Sequence, residues 1–99
     1  MPPEGIGATK VLYGIVMLPG ARMAIESLGA DIKNRLYAVR DVLQDNPRPE
    51  GCVPFPVPTL PNAYTYEVSY PPFKYQLVYI VEDVKEKVTV LTMQQLRFA

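Results

Sequence analysis

Hydrophobic positions along this chain follow two different rhythms. From Pro19 to about Gln44 they recur at helical spacing, and from Ala63 to about Met93 they alternate or run together as they do in strands. Ala21, Ile25 and Leu28 fall at i, i+4 and i+7 and give the first helix one apolar face. Pro19 suits its first turn, where a missing N–H costs nothing, and Gly29 is the expected C-terminal stop. The spacing predicts a second helix over residues 31–44. Ile32, Leu36, Val39 and Leu43 form its buried stripe, and Lys33, Asn34, Arg40 and Asp41 face away. Two short amphipathic helices with so brief a link form an antiparallel hairpin, and such a hairpin needs a sheet to cover.

The strand-like segments supply that sheet. Residues 10–17 read as a short first strand. Between residues 46 and 62 stand six prolines, Pro47, Pro49, Pro54, Pro56, Pro58 and Pro61, a density that no helix or central strand tolerates. This segment is expected to run extended along the surface. Tyr64, Tyr66, Val68 and Tyr70 then alternate with Thr65, Glu67 and Ser69, the pattern of a half-buried strand, and Pro71-Pro72 breaks it. Residues 73–81 become almost continuously apolar and read as a central strand. A charged turn over residues 82–86 leads to a last strand over residues 87–93, and residues 94–99 are left as a short tail carrying Arg97. The order β-α-α-β-β-β predicts an α+β fold, an antiparallel sheet of about four strands packed on an N-terminal helical hairpin. No repeat or internal boundary interrupts it. Residues 1–99 are expected to make one domain with a loose tail over residues 1–9.

Composition narrows the chemistry. A chain of 99 residues buries roughly two-thirds of the surface its unfolded form exposes, enough for one core. Ten basic residues balance ten acidic ones, so the surplus of positive charge that usually drives nucleic-acid binding is missing. With no histidine, the commonest acid–base group near neutral pH and the commonest metal ligand are both absent. The one cysteine, Cys52, excludes an internal disulfide and has no histidine to activate it. No metal or other cofactor is expected. No apolar run approaches the roughly 20 residues of a membrane-spanning helix, and the N-terminus lacks the features of a signal peptide. A cytoplasmic protein without membrane contact is the expectation.

Four local motifs, in order, carry a family resemblance over residues 10–97. They are Leu18-Pro19-Gly20-Ala21 opening the first helix, Asn46-Pro47 closing the second, Tyr66-Glu67-Val68-Ser69 before a break, and Tyr75-Gln76-Leu77-Val78-Tyr79 before an acidic turn. This arrangement resembles the RelE/ParE superfamily of bacterial type II toxin–antitoxin toxins. The resemblance implies a toxin, plasmid-stabilization type included, held by a cognate antitoxin laid along its surface. A RelE-like member would enter the ribosome and cleave mRNA as an endoribonuclease, inhibiting translation. The alternatives are a ParE-like inhibitor of DNA gyrase, or a catalytically degenerate member that only binds protein. In the mRNA-cleaving members, basic residues neutralise the scissile phosphate and stabilise the pentacovalent transition state. Here Glu67 and Ser69 stand where basic side chains are common, Pro71 stands at a frequent arginine, and Gln76 replaces the strand arginine. Of the basic group after the last strand, only Arg97 is present.

The candidate site that the resemblance implies is therefore a polar patch of Lys74, Gln76 and Arg97 with Tyr70 and Glu67. Lys74 and Arg97 would meet phosphate, and Glu67 or Tyr70 would serve as base. The plainer reading is of solvated residues on an uncovered sheet face and tail. Among the seven tyrosines, Tyr66, Tyr75 and Tyr79 are assigned to packing, although tyrosines on sheets also stack on bases. Pro58-Thr59-Leu60-Pro61 fits a PxxP ligand, but serves equally as a stiff spacer. Lys33, Arg35 and Arg40 suit a solvent face or an acidic antitoxin. An exposed edge over residues 64–70 is a place for strand pairing, with an antitoxin segment or with a second copy in a homodimer.

Overall fold

The computed structural model describes residues 11–55 and 59–97. The expected loose tail, the strand start at Lys10, and Pro56 and Pro58 of the connection lie outside the described residues. Among those described, the chain runs β1 (Gly14–Met17), α1 (Pro19–Glu26), α2 (Ala30–Asp45), β2 (Val53–Pro54), β3 (Ala63–Tyr70), β4 (Phe73–Glu82) and β5 (Lys87–Arg97). The strands form one sheet in the order β1-β5-β4-β3-β2. The α+β class is as expected, and β4, the nearly continuous apolar run, is the middle strand.

Three details depart from expectation. The sheet has five strands because Val53 and Pro54 pair with Thr65 and Tyr64 at its edge, a place where proline's missing donor is tolerated. It is mixed rather than wholly antiparallel, since β1 runs parallel to β5, with Ile15 opposite Val88 and Met17 opposite Val90. The intervening helices make the long crossover that a parallel pair needs. The last strand also continues to Arg97 instead of ending at Met93. A β-bulge at Leu91, between the pairs Tyr79–Val90 and Val78–Thr92, resets the alternation and lets β5 follow β4 to its start.

The helices lie on one face of the sheet. Ala21 and Ile25 of α1 and Ile32, Leu36, Val39 and Leu43 of α2 are buried against Tyr75, Leu77, Tyr79 and Val81 of β4 and Val88, Val90 and Met93 of β5. The predicted stripe of α2 is the observed one. Helix α1, however, ends at Glu26 on Ser27, and Gly29, with φ −63°, is the N-cap of α2 rather than a C-terminal stop. No described helix is long and apolar enough to cross a membrane.

Tyr79 and Asn46-Pro47 belong to different motifs and meet in space. The Tyr79 side chain is wholly buried, and its hydroxyl donates to the Pro47 carbonyl at 2.9 Å. Burial pushes its pKa up, so the hydroxyl stays protonated as the donor. That bond ties the end of α2 to the middle strand. Both motifs are thus explained by the fold without any chemistry.

Candidate functional site

Cross-strand register decides which side chains share a face. Partners directly opposite project to the same side of a sheet, and neighbours along a strand project to opposite sides. Tyr75, Leu77 and Tyr79 face the helices, so Lys74, Gln76 and Val78 face outward. On β3, Glu67 lies opposite Gln76 and Ser69 opposite Lys74; on β5, Gln94 lies opposite Gln76 and Leu96 opposite Lys74. These residues make one polar patch on the helix-free face.

Glu67 is the hub of this patch. Its Oε1 lies 3.8 Å from Lys74 Nζ, and its Oε2 accepts a hydrogen bond from Gln76 Nε2 at 3.4 Å. A carboxylate and an ammonium so placed cancel at range, and an exposed pair of this length contributes little to stability. The amides of Gln76 and Gln94 add donors and acceptors but no charge. The patch offers hydrogen bonds over a nearly neutral surface.

Tyr70 and Arg97 are on the other side. The Tyr70 hydroxyl donates to Asp31 Oδ2 at 2.7 Å, at the start of α2, and the Arg35 guanidinium lies 5.1 Å above the Tyr70 ring. The bond to Asp31 and that carboxylate's charge raise the Tyr70 pKa, which opposes any role as a base. Arg97 lies opposite Phe73 in the ladder, and its guanidinium sits 5.7 Å above that ring, on the helix side. The structure thus brings Glu67, Lys74 and Gln76 together and does not bring Tyr70 or Arg97 to them. The basic residues of α2 are engaged as well. Lys33 Nζ lies 3.5 Å from Glu26, and the Arg40 guanidinium lies 5.2 Å above the Tyr37 ring. The Tyr37 hydroxyl also bonds to Glu26.

A second polar cluster escaped sequence reasoning. Arg48 Nη1 and Nη2 donate to the two carboxylate oxygens of Asp83 at 3.0 and 2.8 Å, and Arg48 Nε donates to the Tyr64 hydroxyl at 2.8 Å. The Tyr13 hydroxyl donates to Asp83 Oδ1 at 2.8 Å. Arg48, followed by Tyr13, holds the Asp83 carboxyl down at about 2, well below its ordinary value. This forked pair pins the proline-rich connection to the β4–β5 turn. A shallow groove of about 590 Å³ takes in Asp83 itself, with Leu60, Pro61, Ile80, Val84 and Lys85 among its other lining residues.

The sequence matches no family model and no curated protein. Solved structures do match. The isolated RelE toxin of E. coli superimposes with a TM-score of 0.72 at 22% identity, over 88% of this chain and 87% of that one. RelBE2, a toxin–antitoxin complex of Mycobacterium tuberculosis, gives 0.70 at 18% identity, covering 85% and 98%. An archaeal RelE–RelB complex from Pyrococcus horikoshii gives 0.67 at 17%, covering 84% and 93%. At these identities the likeness is one of fold, and the fold is the one the motif resemblance implied.

Proposed function

We propose that this chain, folded as the RelE toxins are, is the toxin component of a type II toxin–antitoxin pair and acts by binding, without cleaving RNA. Support for the first half is the shared fold together with the matched solved structures in which RelE is bound to RelB. A partner of the same kind, a small antitoxin protein, is the expected companion of this chain.

The observation that carries the second half is the outer face of the sheet. Cleaving a phosphodiester without a metal ion needs preorganised positive charge at the phosphate, and losing one such group typically costs on the order of 100-fold in rate. Here the cations described on that face are already matched, Lys74 by Glu67 and Lys87 by Glu82, and Gln76 is neutral. Arg97 and Tyr70 are engaged on the opposite face. A neutral surface rich in amides suits a protein partner better than a polyanion.

One observation favours the nuclease reading. The Lys74–Glu67 pair is long and both side chains are partly exposed, so an approaching phosphate can compete for Lys74. That reading would make the protein a ribosome-dependent endoribonuclease with a single charge stabiliser.

The pairing is tested by co-expressing the chain with the small protein encoded beside it. A stoichiometric complex, together with slowed growth when the chain is expressed alone, is the expected result. The absence of both the complex and the growth effect would overturn the toxin reading.

A further inference from the structure

Cations of the outer sheet face and of the β4–β5 turn are matched by carboxylates, and those of the helices mostly are not. Lys74 is paired with Glu67, Lys85 and Lys87 with Glu82, and Arg48 with Asp83. On the helices Lys33 is paired with Glu26. Arg22, Arg35 and Arg40 make no ion pair with a described residue; Arg35 and Arg40 lie on tyrosine rings instead.

Helical spacing gathers three of these cations in one place. Arg22 and Glu26 stand one turn apart on α1, and Lys33, Tyr37 and Arg40 follow one another along one side of α2. The bonds of Tyr37 and Lys33 to Glu26 join the two rows into a crease between the helices. The Arg40 guanidinium lies 5.2 Å above the Tyr37 ring, a stacking that leaves its N–H edge open to an anion. Glu26 is the carboxylate seated inside the crease, and Asp41, one turn beyond Tyr37, stands at its outer rim. The Glu26 carboxyl is held below its ordinary value, first by the Tyr37 bond and then, against desolvation, by Lys33 and Arg22. The crease therefore already favours negative charge.

Apolar surface adjoins the cations. Met23, next to Arg22, is 72% exposed, and Leu18, one turn earlier, is 39% exposed. Arginine, tyrosine and methionine are the side chains that protein interfaces favour. A polyphosphate would use the cations alone, leave Met23 in water, and be opposed by Glu26 and by the overall balance of ten basic and ten acidic residues.

We propose that the crease between α1 and α2 is a docking site for an acidic segment of a protein partner. Carboxylates of that segment meet Arg22 and Arg40, and its apolar side chains cover Met23. Glu26 is the chain's own carboxylate in the same place, and it competes with the partner for Lys33. The inference stands on the charge of the crease and does not depend on the toxin reading.

The test is fluorescence anisotropy of a labelled deca-glutamate peptide against the full chain at low salt, with deca-glutamine as the uncharged control. Saturable binding of the acidic peptide alone is expected, and it should weaken as salt is added. Arg22→Gln with Arg40→Gln should weaken binding about fivefold, the loss of two exposed charge contacts. Lys85→Glu makes the same change in net charge at the β4–β5 turn and should leave binding unchanged. Glu26→Gln should tighten it about threefold, because the internal competitor is gone. Nitrogen-15 NMR of the unaltered chain locates the site without any variant, and the amides of α1 and α2 should shift while those of β3 and β4 stay. No binding, an equal loss with Lys85→Glu, or shifts confined to the sheet would overturn the inference. So would deca-thymidylate binding as tightly through the same two arginines, which would make the crease a phosphate site. Self-association abolished by the same pair of substitutions would overturn it too, since the crease would then belong to a second copy.

Discussion

At the scale of single residues, the fold is held at its corners by polar pairs that join distant parts of the chain. Asp83 shows what such a pair does. Its carboxyl is held at about 2, first by Arg48 and then by Tyr13, against an ordinary value of 3.8. A carboxyl whose pKa is lowered in the folded state adds stability that is fully present above its unfolded value and is lost as the pH falls through the folded one. The thermal midpoint of the native protein should therefore fall modestly as the pH drops from 3.8 to about 2, since the pair is exposed to solvent. Asp83→Asn should lower the midpoint at neutral pH and flatten that acid limb, as scanning calorimetry at several pH values will show. An unaltered acid limb in the variant would mean that Asp83 is not the group responsible. None of this was legible beforehand. Arg48 and Asp83 are separated by 35 positions, and Tyr70 and Asp31 by 39, so no local pattern announces either pair. Lys74, Gln76 and Glu67 were legible as a patch because neighbouring strands bring them together at short range. Tyr70 was separable from Glu67 beforehand, since the alternation along β3 puts the two on opposite faces; Arg97 was not, because residues 94–97 read as tail rather than strand.

At the scale of elements, the apolar period gave what it physically encodes. Helix α2 buries the four residues its spacing nominated, and β4 is central because its run from Leu77 to Val81 is apolar on both faces. Boundaries depended on finer forces. Gly29 looked like the end of one helix and is the beginning of the next, and residues 94–97 looked like tail because their polar side chains conceal a strand. The bulge at Leu91 is what keeps them in register with β4. The start of α2 offers a direct check. Gly29 has the extended backbone of an N-cap, φ −63° and ψ 157°, with no side-chain bond to the first turn and no atom within 4 Å of a Cβ built there. Gly29→Ser should place a hydroxyl on a free N–H and raise stability by a few tenths of a kcal/mol, read as a higher urea midpoint. A lower midpoint would contradict the cap assignment.

At the scale of the whole molecule, a mixed sheet with helices on one face leaves the other face free, and charge on that face separates the possible activities. The overall balance of ten basic and ten acidic residues is repeated locally, where Lys74 meets Glu67 and amides fill the positions around them. Fold and chemistry parted company along this chain. The motif residues that reveal the fold, such as Tyr79 and Pro47, bind each other in the interior, so the fold is kept whatever stands on the surface. The side chains of the outer face are free to differ, and here their charges offset one another. The central claim is that this face binds without cleaving. The most direct test is to add the purified protein to a cell-free translation reaction and map mRNA ends, with and without ribosomes. The account predicts intact mRNA under both conditions, and codon-phased cuts that appear only with ribosomes would contradict it.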